Sequence, residues 1–443
     1  MRVPRHLAVA VVTAVVASGT ALVGGSAAYG SAALRPSVRQ VGYYIQWGLY
    51  GRGFNVKNLD TSGEAGKLTD LDYAFGNVAP EGDAITCQSG DVWADYEKPI
   101  AAENSVDGVA DQWGEALNGN FGQLLKLKAK YPKLKVLLSL GGWSWSKYFS
   151  DAALTDASRQ ALVSSCVDRF IKGNLPFLGP GDAGGPGSAA GLFDGFDIDW
   201  EWPGSDGNAG NIIRPEDKAN FSSLLAEFRR QLDAYGSQTH KHYTLSAFLP
   251  AAPAKIAAGF DGQQIFDSLD YGNMQGYDFH GTWESVTNQQ SAIRVPSGAP
   301  TTPDFSLDSS VRAWLQAGAR PEQLVLGIPS YGQGWTGVSG GGDGLFQPAS
   351  GPAAGTWGPG NEDYKVLKTL PSKGFTVHRD VISGFAWLFD GTTFWTYDDP
   401  AVVLQKALYI RLHGLGGAMM WELSGDDDTG TLTKTIHFGL TGR

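Results

Sequence analysis

The sequence has 443 residues, a length that fits one large barrel domain with an inserted module. Its 34 basic and 45 acidic residues give a formal net charge of −11, and the absence of a basic stripe excludes nucleic acid as a partner. The two cysteines and 7 scattered histidines show no metal-ligand spacing, so we predict neither a metal site nor a cofactor.

The first element along the chain is a predicted export signal, residues 1–33. A short cationic start precedes an apolar run from Leu7 to Val23, and two small-residue cleavage sites follow, Ser26-Ala27-Ala28 and Ser31-Ala32-Ala33. A transmembrane anchor is the alternative, but small and hydroxylated residues dilute the apolar run. We therefore predict a secreted, extracellular protein that does not bind membranes and acts as a monomer.

Two cysteines remain in the exported chain. Cys87 and Cys166 are free to form a disulfide in an oxidising compartment. Two buried free thiols are the alternative, because the sequence alone does not establish whether the two Cα atoms lie within bonding distance. The sequence leaves both arrangements open.

Residues 34–443 alternate short apolar or aromatic runs with helical patterns, which is typical of βα units around a parallel sheet. Eight such units predict an α/β fold, a (β/α)8 TIM barrel. The predicted strands are Arg39–Gln46, Leu71–Asn77, Lys135–Leu140, Gly195–Trp200, Tyr243–Phe248, Tyr271–Tyr277, Gln323–Ile328 and Gly416–Trp421. The predicted helices include Phe121–Lys130, Ser158–Lys172, Pro215–Tyr235, Ser309–Ala317 and Ala401–His413.

Residues 334–399 interrupt the alternation between the seventh strand and the last helix. They contain strand-like pieces at Thr376–Val381 and Gly384–Leu388 among many glycines. A segment of this length with its own apolar runs predicts a small α+β insertion in the barrel. Because it follows strand seven, we expect it to raise one wall of a cleft at the C-terminal face.

The fourth predicted strand carries alternate acids, Asp197, Asp199 and Glu201. Side chains two apart share a face of a strand, so all three point inward at the C-terminal end, where barrel active sites form. Three carboxylates in one column do not all ionise cheaply, so at least one retains a proton near neutral pH, as a general acid must. A surface acidic strand or a calcium site is the alternative, but the apolar residues between the acids indicate burial.

The segment Asp194–Glu201 resembles the DxxDxDxE signature of family-18 glycoside hydrolases, and of the bacterial chitinases in particular. Further segments resemble family motifs at Gly42–Gly48, Ser139–Trp143, Tyr277–Gly281 and Met420–Glu422. The resemblance covers nearly the whole mature chain, and the insertion lies where many bacterial members carry a chitinase insertion domain. It implies an enzyme that hydrolyses β-1,4 bonds between N-acetylglucosamine units by a retaining, substrate-assisted mechanism.

The resemblance also implies catalytic roles for four residues. Glu201 protonates the glycosidic oxygen, and Asp199 orients the substrate acetamide, whose oxygen attacks the anomeric carbon to give an oxazolinium intermediate. Asp197 shares a proton with Asp199, and Tyr277 hydrogen-bonds the acetamide. The family is an exception to the two-carboxylate retaining scheme, because the nucleophile belongs to the substrate.

Substrate-binding residues follow from the same resemblance: Trp421 forms the floor under the sugar ring, and Asp278 contacts the sugar beside the cut. We predict aromatic liners of the cleft at Tyr43, Trp47, Phe75, Trp143, Trp202 and Tyr331. For each aromatic liner, burial in the core is the alternative. The chain departs from the family at two positions, with Gln275 in place of a frequent Met and Gln333 in place of a frequent Arg. The amide of Gln275 is expected to reach the acetamide or a neighbouring carboxylate.

The expected partners are chitin and N-acetylglucosamine oligomers. Two other functions remain open. One is an endo-β-N-acetylglucosaminidase acting on glycoproteins, which shares the carboxylate column. The other is a chitin-binding lectin of the same fold, against which the presence of Glu201 argues.

Overall fold

A computed structural model describes residues 38–177, 179, 183–300 and 305–443. The predicted export signal, residues 1–33, lies outside the described residues. Across the described ranges, no helix has both the length and the apolar character required to span a bilayer.

The strands of the described ranges supply two sheets. In chain order they are β1 (Arg39–Ile45), β2 (Asp70–Glu81), β3 (Ala84–Ser89), β4 (Lys135–Gly141), β5 (Gly195–Asp199), β6 (Thr244–Leu249), β7 (Tyr271–Met274), β8 (Leu324–Pro329), β9 (Tyr331–Thr336), β10 (Gly351–Pro352), β11 (Asn361–Asp363), β12 (Thr376–Asp380), β13 (Phe385–Phe389), β14 (Phe394–Tyr397) and β15 (Gly417–Trp421).

The first sheet is a closed parallel barrel. Its strands run in the order β1-β15-β8-β7-β6-β5-β4-β2, and pairing of β1 with β2 closes the ring. The antiparallel strand β3 extends β2 outside the ring. The predicted (β/α)8 barrel is therefore confirmed, and the eight barrel strands coincide with the eight predicted ones, although β7 ends three residues before the predicted Tyr277.

Helices cover the barrel between its strands. In chain order they are α1 (Val56–Thr61), α2 (Gly119–Lys130), α3 (Gly142–Trp145), α4 (Phe149–Ala153), α5 (Asp156–Cys166), α6 (Asp217–Thr239), α7 (Pro253–Gly259), α8 (Gly262–Ser268), α9 (Leu307–Gln316), α10 (Tyr364–Leu367), α11 (Pro400–Leu412) and α12 (Thr431–Thr441). The start of α11 shows why a helix begins where it does. The Asp399 side chain accepts hydrogen bonds from two backbone amides of the first turn, and proline occupies the first helical position.

Two glycines allow the barrel to close tightly around β5. A Cβ atom on Gly195 would lie 1.8 Å from the carbonyl oxygen of Thr244 on β6. Gly141, at the end of β4, has φ of 107° and would place a Cβ atom 2.4 Å from the carbonyl oxygen of Asp199. Any larger residue would push the neighbouring strands away from the acid-bearing strand.

The second sheet lies between β8 and α11. Its order is β10-β9-β14-β13-β12, with β11 pairing to β9, and all these pairs are antiparallel. It encloses a small core of its own that includes Trp335, Trp387 and Phe394. The sheet begins at Tyr331, three residues before the predicted insertion, and it belongs to the same compact unit as the barrel.

The two cysteines are bonded to each other, which decides between the two arrangements that the sequence left open. Cys87 lies on β3 and Cys166 ends α5, with their Cα atoms 5.0 Å apart. Beside the bridge, Arg169 donates a 2.5 Å hydrogen bond to the carbonyl oxygen of Cys87. The disulfide therefore links the β2–β3 hairpin, whose second strand lies outside the ring, to helix α5.

Candidate active site

The carboxylate column is built on β5. Asp197 and Asp199 lie on the strand and are buried in the barrel interior, whereas Phe196 and Ile198 alternate with them and pack in the core. Glu201 follows two residues beyond the end of the strand. Asp199 and Glu201 line a cavity at the C-terminal ends of the barrel strands, and Asp197 lies beneath it.

Asp197 is held by four donors. Its Oδ2 accepts hydrogen bonds from the Tyr43 hydroxyl at 2.7 Å and the Ser139 hydroxyl at 2.8 Å. Its Oδ1 accepts from Ser246 at 2.8 Å and from the Asn273 amide at 3.4 Å. Burial raises the pKa of Asp197, and these donors oppose the rise because they stabilise the charged form.

Asp199 has a different environment from Asp197. Its Oδ1 is buried and accepts no hydrogen bond from the described residues. Burial, and next the charge of Glu201, raise the pKa of Asp199 well above its usual range. The hydroxyl of Tyr277 is likewise buried without a partner in the described part of the chain. A carboxyl oxygen and a hydroxyl therefore face the cavity with hydrogen-bonding capacity to spare.

The surroundings of Glu201 favour the protonated form of its carboxyl group. Burial raises its pKa to about 8, the charge of Asp278 adds to the rise, and Lys255 opposes it. The backbone of Glu201 is fixed on both sides: its amide donates to Ser146 Oγ at 2.8 Å, and its carbonyl accepts from the Asn211 amide at 2.9 Å. A carboxyl group with a fixed backbone and a pKa near neutrality has the properties of a general acid.

Asp278 connects the barrel to the second sheet. Its backbone has φ of 58°, in the left-handed region that few side chains adopt. Its Oδ1 accepts from the Tyr331 hydroxyl at 2.7 Å and the Gln333 amide at 2.9 Å, both from β9. Burial raises the pKa of Asp278, and these two donors oppose the rise. Gln333, which the sequence marked as a departure from the family, thus gives Asp278 a neutral donor.

The cavity has a volume of about 1380 Å³. The catalytic candidates that line it are Asp199, Glu201 and Tyr277. The binding candidates that line it are Trp47, Phe75, Trp143, Trp202, Gln275, Asp278 and Trp421. The described residues 331–399 do not belong to this lining, and the expectation that the insertion raises one wall of a longer cleft stays a prediction. The second sheet contacts the site through Tyr331 and Gln333.

Two predicted aromatic liners lie behind the cavity surface. Tyr43 is fully buried and points along the barrel interior, because its hydroxyl is bound to Asp197. Tyr331 is also buried, and its hydroxyl is bound to Asp278. Neither residue belongs to the cavity lining. Each of them supports a carboxylate rather than covering a sugar.

Three aromatic rings form a row along the cavity. Trp421 stacks on Phe75 with ring centroids 5.8 Å apart, and Phe75 stacks on Trp47 at 6.2 Å. The edge of Tyr43 meets Trp421 at 5.2 Å and supports it from below. Such a row offers apolar faces to flat ligands along the length of the cleft.

Several lining residues were missed by the sequence analysis. They are Trp145, Asp206, Phe248, Lys255, Phe279, Trp283 and Phe305. Trp283 is the most exposed aromatic residue among them, at 62%, and its position five residues after Asp278 in a glycine-containing loop was the available signal. Lys255 donates to Asp206 Oδ1 at 3.2 Å, so the cation of the cavity is paired with an acid of the cavity. Throughout the described ranges, no three His, Cys, Asp or Glu side chains group as metal ligands.

Comparison with known proteins gives a family match over most of the chain. The profile of the glycosyl hydrolases family 18 matches residues 39–426. Chitinase C of Streptomyces lividans is 39% identical over 405 residues, which cover 88% of this chain and 58% of that protein. Chitinase A1 of Niallia circulans is 35% identical over 427 residues, with coverage of 88% and 57%. The chain therefore spans less than two thirds of the length of these relatives.

A solved structure matches the fold more fully. The catalytic domain of the psychrophilic chitinase B from Arthrobacter TAD20 superposes with a TM-score of 0.87 at 49% sequence identity. The superposition covers 92% of this chain and 96% of that domain. The resemblance therefore extends over both sheets and is not confined to the signature strand.

Proposed function

The chain belongs to glycosyl hydrolase family 18, and from this premise we propose that it is a chitinase that hydrolyses β-1,4 bonds between N-acetylglucosamine units. The observation that carries the proposal is the Glu201 carboxyl together with Asp199 and Tyr277 in one aromatic-lined cleft, where burial raises the pKa of Glu201 to about 8. Relatives named chitinases that match 88% of the chain support it.

Glu201 supplies the proton for bond cleavage. Its carboxyl donates to the glycosidic oxygen as the bond from that oxygen to the anomeric carbon breaks, and the leaving sugar departs as a neutral alcohol. The pKa of about 8 supports this role, because an acid is most effective when its pKa lies near the working pH. In the second half of the reaction, the Glu201 carboxylate takes a proton from the attacking water.

The acetamide of the substrate supplies the nucleophile. Its carbonyl oxygen bonds to the anomeric carbon and forms an oxazolinium ion, which water then opens with retention of configuration. Asp199 Oδ1 accepts from the acetamide N–H, and the Tyr277 hydroxyl donates to the acetamide oxygen. Their unpaired atoms support this assignment. As Asp199 turns toward the acetamide, Asp197 takes up the proton that Asp199 releases.

The sugar chain lies along the aromatic row. Trp421 forms the floor at the scissile sugar, and Phe75 and Trp47 extend the apolar surface. Asp278 contacts the sugar beside the cut, and Gln275 contacts the acetamide. The exposed face of Trp143 completes the cleft by the same stacking chemistry, and Trp202, which is largely buried, contributes to the lining behind it.

We propose further that the protein is exported and acts extracellularly as a monomer. The signal pattern at residues 1–33 supports export. The bond between Cys87 and Cys166 also supports it, because disulfides persist in oxidising compartments.

A comparison of two substrates tests the proposed function. Purified protein is incubated with colloidal chitin and, separately, with an N-glycosylated protein, and the released sugars are measured. We expect soluble N-acetylglucosamine oligomers from chitin and no glycan from the glycoprotein. Release from the glycoprotein alone would indicate an endo-β-N-acetylglucosaminidase. Chitin binding without release would indicate a lectin.

A further inference from the structure

A fourth buried acid, Asp72, lies in the barrel interior and is not part of the signature strand. It stands on β2, at the level of Tyr43 on β1 in the strand register. Its side chain is fully buried, and it does not line the cavity. The reaction described above assigns it no role.

The amide of Asn273 joins Asp72 to Asp197 through the middle of the barrel. Asn273 lies on β7, which is four places from β2 in either direction around the ring. Its Nδ2 donates to Asp72 Oδ2 at 3.0 Å and to Asp197 Oδ1 at 3.4 Å. A single amide therefore contacts a carboxyl group of the catalytic column and a carboxyl group of the opposite wall.

The two carboxyl groups receive unequal numbers of donors. Asp197 accepts from four side chains, whereas Asp72 accepts from Asn273 and its Oδ1 has no partner in the described part of the chain. Two buried carboxyl groups this close do not both ionise, and the proton stays where fewer donors stabilise the charge. Burial, and next the charge of Asp197, raise the pKa of Asp72 well above its usual value.

The negatively charged groups around Asp72 favour the same distribution, whereas Arg39 opposes it by lowering the pKa of Asp72. The charged and titratable groups lie on the strand of Asp72, on its two neighbours in the ring and on strands across the barrel interior: Asp70 of β2, Arg39 and Tyr43 of β1, Lys135 of β4, Asp197 and Asp199 of β5, and Tyr271 of β7. Arg39 forms an ion pair with Asp70 at 3.2 Å, and Lys135 Nζ donates to the Thr244 hydroxyl. Both cations therefore have partners other than Asp72.

We propose that Asp72 is a positioning residue that stays neutral and holds the Asn273 amide, so that Asp197 carries the negative charge at the base of the column. The inference rests on the proposed function, in which Asp197 receives the proton that Asp199 releases. With Asp72 ionised, Asp197 would stay protonated, because the two groups do not both ionise, and Asp197 could then not accept the proton that Asp199 releases. A neutral Asp72 keeps Asp199 free to ionise toward the acetamide.

The variant Asp72→Asn tests whether the group is neutral. It keeps an acceptor for Asn273 but never ionises, so we expect both limbs of the pH profile of kcat/KM to match those of the parent. The infrared difference between parent and variant at neutral pH should contain the carbonyl band of a protonated carboxylic acid. A shift of the alkaline limb to lower pH in the variant, or no such band, would overturn the proposal.

The variant Asp72→Leu tests the positioning role, with Glu64→Leu as a matched control. Glu64 is a buried acid outside the cavity lining, and it contacts Ser62 and Thr433 rather than the column. Loss of the acceptor in Asp72→Leu should lower kcat by about tenfold to a hundredfold with KM unchanged, and the control should keep its kcat. Equal kcat in the two variants would refute the positioning role. The infrared band needs neither substrate nor Asp72→Leu, so it decides the protonation state even if this variant does not fold or chitin is not the substrate.

Discussion

The proton on Glu201 predicts the alkaline side of the pH profile. Burial raises the pKa of this carboxyl to about 8, so the acid is protonated below that pH and ionised above it. At pH 7 about nine molecules in ten carry the proton, and at pH 9 about one in ten does. Because kcat/KM reports the groups of the free enzyme, we expect it to fall about tenfold per pH unit above pH 8.

Replacing Glu201 should remove both most of the catalytic rate and the alkaline limb of the kcat/KM profile. Glu201→Gln keeps the shape of the side chain and the backbone contacts with Ser146 and Asn211, but it has no proton to transfer. We expect kcat/KM to fall by about a hundredfold to ten-thousandfold, which corresponds to about 3 to 5 kcal/mol in the barrier. The residual rate should be flat across the alkaline range, because the titrating group is gone.

A fluorogenic N-acetylglucosamine oligomer provides the assay, and tryptophan fluorescence reports oligomer binding, which should persist in Glu201→Gln. The matched control is Glu64→Gln, the same change at a buried acid whose pKa burial also raises to about 8. Glu64 lies outside the cavity lining, so its replacement should leave the alkaline limb in place. A rate for Glu201→Gln within a few-fold of the parent, or an unchanged limb, would refute the assignment.

Three further predictions follow from the site and the disulfide. Asp199→Ala should lower kcat by about a hundredfold or more, and fully deacetylated chitin should be inert for the parent; regular glucosamine at new reducing ends from partly deacetylated chitin would contradict acetamide participation. Asp278→Asn removes a charge that raises the pKa of Glu201, so the alkaline limb of kcat/KM should move to lower pH, and an unmoved limb would exclude that coupling. Replacing Cys87 and Cys166 together by serine opens a bridge between residues 79 apart, and denaturant titration should show a loss of about 4 kcal/mol in the free energy of unfolding; an unchanged midpoint would contradict this.

The barrel and its acid-bearing strand were predictable because they depend on local periodicity. A period of two placed Asp197, Asp199 and Glu201 on one face, and alternation of apolar strands with helical patterns gave the eight βα units. The strand carrying Tyr277 was predicted too long. A Cβ atom on Gly276 would lie 1.8 Å from the carbonyl oxygen of Gly327. The backbone after β7 therefore approaches β8 too closely for a side chain, and the pattern of apolar residues does not reveal such an approach.

The remainder of the site depends on contacts between distant residues. Asp72 stands in a strand of mostly apolar residues, and only closure of the barrel brings it to Asn273, 201 residues further along the chain. Tyr43 was predicted on the cavity surface because a motif position does not give depth along the barrel axis. Trp283 stands in a loop and Lys255 on the short helix α7, and both lie outside the strands that supply the motifs.

The attachment of Asp278 to β9 has a consequence for protein engineering. An insertion exchanged between related enzymes is assumed to be a detachable module. Here the exchanged segment would begin at Tyr331 and Gln333, which donate hydrogen bonds to Asp278 in the cleft. A chimera joined before Tyr331 would acquire a new electrostatic partner for Asp278, whereas one joined after Gln333 would keep the parental partner. The choice of crossover point therefore determines whether such a graft changes the scaffold alone or also the acidity of Glu201.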